Sequence, residues 1–300
     1  MRRRNNIIRY TAMAWAILMG VSSCGNENLE GPGPVDAKST PMTFAINYPG
    51  RSRATETDFE MNDKIGLYVA KADVPLEIGG NLVNNEPLTY DGTNWNATRN
   101  LYWDEGTYNA YAYYPYINKV SSIEDQPFSI STDQSTSKTE TALGGYEASD
   151  LLFATSKNLT ASTSPVPLNF KHIMSKLLIR LVQGEDFEGE MPTTATVYVH
   201  NTVPEATIDL QAGVATRYVK GTKQTIIAHQ DDDYIYSAII VPQRIENRMP
   251  LIEVIMNGVS YLFESKFQFK PGTEHLVNLI ISDNPDQVKI DVGGEIQGWQ

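Results

Sequence analysis

The sequence predicts an all-β fold, two antiparallel β-sandwich domains that meet near residue 170. Three observations predict it. Apolar and polar residues alternate in short runs along most of the chain, the period-two pattern of strands with one buried face. Turn signals separate the runs, chief among them Asp91-Gly92, Asn257-Gly258 and Lys270-Pro271-Gly272-Thr273. Helical periodicity is weak everywhere, and 300 residues suffice for two hydrophobic cores.

The chain opens with a basic segment (Arg2, Arg3, Arg4, Arg9) and a short apolar run from Met13. Small residues follow, ending in Val21-Ser22-Ser23-Cys24. This is the build of a secretory signal peptide over residues 1–23, too short to span a bilayer, which takes ~20 apolar residues. Its last four residues resemble a bacterial lipobox, which implies cleavage before Cys24 and a lipid on its sulfur. Cys24 is also the only cysteine, and a bare exposed thiol is a liability outside the cell. Residues 24–40, rich in Gly, Pro, Asn and Glu, read as a flexible tether.

The first domain is expected over residues 41–169. Met42, Phe44, Ile46 and Tyr48 alternate with polar or small neighbours until Pro49-Gly50 stops the strand. A polar stretch with Arg51 and Arg53 follows. Ile65, Leu67 and Val69 mark the next strand, then Leu88 and Tyr90 before Asp91-Gly92 and Trp95. From Leu101 to Tyr116 the chain is dense in aromatics, which favour strands. There Tyr108, Ala110, Ala112 and Tyr114 share one face; Asn109, Tyr111 and Tyr113 share the other. A row of tyrosines offers rings for stacking on sugars, with Tyr111 and Tyr113 as the candidate contacts. The competing reading is a strand whose phenols pack at a domain edge. Residues 129–146 read as a long surface loop. Strands are expected again at Leu151–Ala154 and at Val166, Leu168 and Phe170.

The second domain is expected over residues 170–300. Phe170 to Leu178 leaves room for one or two helical turns. Alternation then recurs at Leu177–Leu181, Val197–Val199, Ala206–Leu210, Ile226–Ala228, Tyr236–Ile240, Ile252–Met256 and Val259–Phe263. Phe267 and Phe269 lead to the Pro-Gly turn and a strand at Leu276–Ile281. Val288, Ile290 and Val292 form the last long strand, which Gly293-Gly294 separates from Ile296 and Trp299.

Composition excludes several functions. The formal net charge is −12. Loss of residues 1–23 removes four positive charges and no negative ones, leaving −16, which disfavours nucleic acid as a partner. No Cys follows Cys24, so no disulfide forms within the chain. His172, His200, His229 and His275 lack metal-ligand spacing, and Asp231-Asp232-Asp233 reads as a solvated turn, not a calcium loop. No nucleophile motif or phosphate-cradling Gly loop is present. The expectation is a protein without catalytic site, metal or cofactor.

The order of the motifs resembles a known family. A lipobox and tether precede a strand, an Arg-containing linker and Asp63-Lys64-Ile65-Gly66-Leu67-Tyr68. Phe170-Lys171-His172-Ile173-Met174-Ser175-Lys176-Leu177 stands midway, Phe269-Lys270-Pro271-Gly272-Thr273 near the end, and Gly298-Trp299 closes the chain. Nearly the whole chain resembles the fimbrillins of Bacteroidales, subunits of type V pili. The resemblance implies two transthyretin-like sandwiches, no enzymatic activity, and a place at the outer membrane or cell surface, lipid-anchored before processing. It also implies partners: other fimbrillin subunits and an Arg-specific protease. That protease would cut after Arg53, or after Arg51, and remove the strand carrying Met42, Phe44, Ile46 and Tyr48. A second subunit would fill the vacated groove with its C-terminal segment, residues 288–300, through Val288, Ile290, Val292, Ile296 and Trp299. The alternative is a permanently lipidated surface protein, either a fimbrial anchor or a glycan binder.

Overall fold

The computed structural model describes residues 36–49, 58–285 and 289–297. After a 3-10 turn at Ala37–Ser39, the described residues of the first half contribute nine strands and one short α-helix. They are β1 (Phe44–Asn47), β2 (Lys64–Lys71), β3 (Val83–Tyr90), β4 (Trp95–Ala97), β5 (Tyr108–Tyr114), β6 (Gln126–Ser129), α1 (Gly145–Ser149), β7 (Leu152–Leu159), β8 (Val166–Asn169) and β9 (Lys171–His172). The second half is strands: β10 (Ser175–Gln183), β11 (Thr196–Thr202), β12 (Glu205–Asp209), β13 (Val214–Arg217), β14 (Gln224–Ile227), β15 (His229–Asp232), β16 (Ile235–Ile240), β17 (Gln243–Met256), β18 (Val259–Phe269), β19 (Thr273–Ile281) and β20 (Lys289–Gln297). The all-β expectation holds.

Most neighbours are antiparallel. A six-stranded sheet runs β4-β3-β2-β5-β7-β9, a five-stranded one β15-β16-β10-β19-β20, and a four-stranded one β14-β11-β17-β18. A three-stranded sheet, β13-β12-β6, joins a strand from the first half to two from the second. Among the described strands two pairings are parallel, β1 with β8 and β10 with β19. Both link segments far apart in sequence, which strand alternation alone does not encode.

The hairpin signals behave as their chemistry dictates. At Asn257-Gly258 both residues have positive φ, 50° and 78°, the type I′ requirement between β17 and β18. Asp91 closes the β3–β4 turn by accepting from the Thr93 and Asn94 amides, with Gly92 at φ 94°.

Two hydrophobic cores result. One lies between the β1–β8 pair and one face of the six-stranded sheet; it holds Ile65, Leu67, Tyr108, Ala110, Ala112, Tyr114, Leu152 and Leu168. The other lies on the opposite face of the same sheet, where Tyr68, Tyr111, Tyr113 and Phe153 join the apolar residues of the second half. Strand β5 is therefore buried on both faces over its whole length. Gly66 sits where the Tyr113 ring crosses β2: a Cβ there would meet the ring at 2.4 Å. That contact explains the glycine inside Asp63-Lys64-Ile65-Gly66-Leu67-Tyr68.

Two local expectations are corrected. Phe170–Leu178 forms no helix; it runs as β9 and the start of β10, because His172 pairs with Leu152 and Ser175 with Ile240 and Thr273. Residues 129–146 are not simply a surface loop. Ile130 is buried, and Gln134 is fully buried with its side-chain amide bonded to Ile239 N and O, each at 2.8 Å. A primary amide presents an N–H donor and a C=O acceptor at peptide spacing, so Gln134 stands in for a strand neighbour to Ile239, and its Nε2 also donates to Ser131 O.

Candidate functional site

Strand β1 is short and alternates as its sequence requires. Thr43, Ala45 and Asn47 are exposed; Met42 is buried, and Phe44, Ile46 and Tyr48 are half-buried against the first core. Phe44↔Val166 through Asn47↔Asn169 set its parallel register with β8. Backbone bonds from Val166 N to Thr43 O (2.8 Å) and from Phe170 N to Asn47 O (3.0 Å) flank the pair. A bond from Met42 N to Leu101 O, 2.9 Å, and one from Trp103 N to Thr40 O, 3.0 Å, hold the entry to the strand. The Tyr48 ring meets Phe59 edge-on at 5.0 Å, and Phe59 in turn packs on Trp95, Tyr114 and Phe170. A groove of about 710 Å³ runs along β1, bounded by Phe59, Tyr90, Asn94 and Trp95. Among the described residues β1 has no strand neighbour but β8, so one of its edges fronts this groove.

Strand β20 is the last strand of the five-stranded sheet and pairs antiparallel with β19, Ile280↔Lys289 through Thr273↔Gln297. The register slips once, between Leu276 and Val277, because Leu276 opposes Gly294 and Val277 opposes Val292. Gly293 is the extra residue of a bulge and Gly294 takes φ 123°. A Cβ on Gly293 would lie 2.8 Å from Leu276. The diglycine thus kinks the strand without ending it. Beyond the kink Glu295 pairs with Lys270, and its carboxylate lies 3.6 Å from His275 Nδ1. The bond to Lys270 holds the Glu295 carboxyl below its usual range. His275 accepts from the Lys270 amide, and burial lowers its pKa. Only the backbone register of Ile290, Val292 and Ile296 is described; Val288 and Trp299 lie outside the described residues, as do Cys24, Arg51 and Arg53. Strands β1 and β20 belong to different sheets.

The tyrosine expectation is corrected. Tyr111 and Tyr113 are 5% and 2% exposed, so neither ring can stack on a sugar. Double-sided burial of β5 is the cause, and the Tyr113 hydroxyl donates to Asn85 Oδ1 at 2.6 Å. Burial pushes the Tyr113 phenol far up.

The charged residues gather elsewhere. A cavity of about 210 Å³ is walled by Tyr48, Asp63, Lys138, Glu147, Lys176 and Asp231, among others. Lys138 Nζ lies 2.8 Å from Glu60 and 3.0 Å from Asp63. Buried His172 meets Asp150 at 2.8 Å. Asp231 is not part of a solvated turn: its side chain turns inward and accepts from Ser237 Oγ at 2.7 Å, while Asp232 and Asp233 stay exposed. Among the described residues no group of three His, Cys, Asp or Glu side chains could hold a metal ion. Sequence reading missed Lys138, Lys176 and Glu274, whose partners are distant in the chain.

The model of the fimbrillin-like family matches residues 52–299. The chain belongs to the fimbrillin-like family. A Bacteroides ovatus protein described as a fimbrium tip subunit is 29% identical over 222 residues, covering 65% of this chain and 39% of that relative. The fimbrillin-like chain therefore spans about two fifths of that relative's length. A crystal structure from Bacteroides ovatus, described as a cell adhesion protein, superposes with a TM-score of 0.66 at 20% identity, covering 87% of this chain and 98% of that one. One from Bacteroides uniformis, described likewise, gives 0.63 at 22%, covering 81% and 93%. The tip fimbrial protein Mfa3 from Porphyromonas gingivalis gives 0.50 at 7%, covering 79% and 95%. At such identities these structures speak to the fold alone.

Proposed function

We propose that this fimbrillin-like chain is a structural and adhesive subunit of a surface fimbria, without enzymatic activity, exported as a lipoprotein through Cys24. Cleavage after Arg53 or Arg51 then separates β1 from the body, and the groove it leaves is filled by the C-terminal strand of another subunit. The observation that carries this reading is the seat of β1. The strand is short, paired with β8 over four residues, and plugs the edge of a core through one face. A strand held this way is replaceable by any segment of matching alternation. Strands β1 and β20 lie in different sheets, and in the proposed exchange the replacing strand comes from another molecule.

N-terminal mass mapping of protein from the native surface tests the processing. The reading expects Ala54, or Ser52, as the mature end of assembled subunits. A lipidated Cys24 on assembled subunits would replace the exchanging subunit with a permanent anchor. Burial of Tyr111 and Tyr113 takes away the two rings on which a glycan-binding reading rested.

A further inference from the structure

Two strands carry a charge pair that strand exchange does not use. Lys176 on β10 and Glu274 on β19 stand opposite each other in the parallel register. Lys176 Nζ lies 3.3 Å from Glu274 Oε2, and the side chains are 5% and 2% exposed. The second carboxylate oxygen, Glu274 Oε1, is buried and has no hydrogen-bond partner among the described residues. Asp231 on β15 shares the cavity wall with Lys176. Burial raises the Asp231 pKa, so this acid holds a proton more readily than a surface aspartate, and the charges of both Lys176 and Glu274 reach it.

A buried ion pair with one unsatisfied oxygen is a costly arrangement, because desolvation of both charges offsets their attraction. Condensation removes both charges at once. We propose that Lys176 and Glu274 form an intramolecular isopeptide bond between β10 and β19, with Asp231 as the proton shuttle. One proton passes along the ion pair, leaving a neutral amine and a carboxylic acid. The Nζ lone pair attacks Glu274 Cδ and forms the C–N bond. Asp231 in its acid form protonates the departing hydroxyl, the C–O bond breaks with its electrons on oxygen, and water leaves. The Asp231 carboxylate then takes the surplus proton from the nitrogen. Amine and acid become amide and water, and nothing is oxidised or reduced. The parallel register holds the two groups in contact, which supplies the proximity such a slow reaction needs. The cavity beside Lys176 gives the water a way out. With no cysteine after Cys24, a disulfide cannot join these two strands.

Intact mass spectrometry of the full chain, followed by peptide mapping, tests the bond. Wild type should weigh less than its sequence by one water, about 18 Da, and yield a branched peptide joining Lys176 to Glu274. Lys176→Met should show the full mass. Asp231→Asn should show mostly full mass while melting as a folded protein, since it keeps the size and polarity of the side chain. Wild type at full mass, with separate peptides for the two residues, overturns the proposal without any variant having to fold. A water deficit that persists in Lys176→Met overturns the assignment to this pair, and complete linkage in Asp231→Asn overturns the shuttle.

Discussion

The seat of β1 is best probed by trimming it without cutting the chain. The double substitution Met42→Ala and Ile46→Ala removes two inward side chains, one just before β1 and one within it. Met42 is buried, and truncating such a methionine costs about 2–5 kcal/mol through lost transfer energy and the cavity left behind. Ile46 is half-buried, so about 1–2.5 kcal/mol is expected for it, half of the value for full burial. The two stand four residues apart on an extended strand, about 13 Å, far enough for their effects to add. The sum, about 3–7.5 kcal/mol, is a large part of a usual stability of about 5–15 kcal/mol. Ala45→Ser, on the exposed face of the same strand, should change stability by less than about 0.5 kcal/mol. Urea denaturation followed by tryptophan fluorescence reads both variants. A double variant with the wild-type midpoint would show that β1 does not plug the first core, and the reasoning about its removal would fall with it.

Gly66→Ala should cost about 1–3 kcal/mol in the same assay, because the new methyl meets the Tyr113 ring in a filled core; a change below about 0.5 kcal/mol would mean the ring yields freely. Stability should also fall as pH drops from 7.5 to 5.5. Burial depresses the folded pKa of His275, whereas an unfolded histidine takes its proton near ~6.5. Above that value its contribution is complete; below it the unfolded chain gains a proton the folded one resists, until the folded pKa is passed. Asp231, with its raised pKa, works the other way and at lower pH. Comparing the slope of wild type with that of His275→Gln isolates the term, and identical slopes would remove it.

Local pattern made the strands legible, and distant pairing hid the rest. Asn257-Gly258 and Asp91-Gly92 encode their turns in two residues each, since positive φ or an Asx bond is a property of the residue itself. The alternation of Met42, Phe44, Ile46 and Tyr48 gave the correct inward face of β1. It said nothing of the partner, and β8, more than a hundred residues on, is joined in parallel. Tyr111 and Tyr113 show the same limit. Alternation assigns two faces to β5, but whether the second face meets water or another core depends on what the second half of the chain brings to it. Gln134 looks like any polar loop residue until the fold brings it to the Ile239 amide and carbonyl. Lys176 and Glu274 are a pair only because β10 and β19 lie side by side.

Strand exchange after cleavage is tested most directly by digesting the purified monomer with an Arg-specific protease and following its size by light scattering and electron microscopy. Wild type should pass from monomer to linear polymers once the chain is cut at Arg53 or Arg51. Chains in which both arginines are alanine should stay monomeric, and cut chains ending before Val288 should fail to polymerise. Polymers from the double arginine variant, or a cut wild type that remains a folded monomer, would contradict the exchange of β1 for a partner's C-terminal strand.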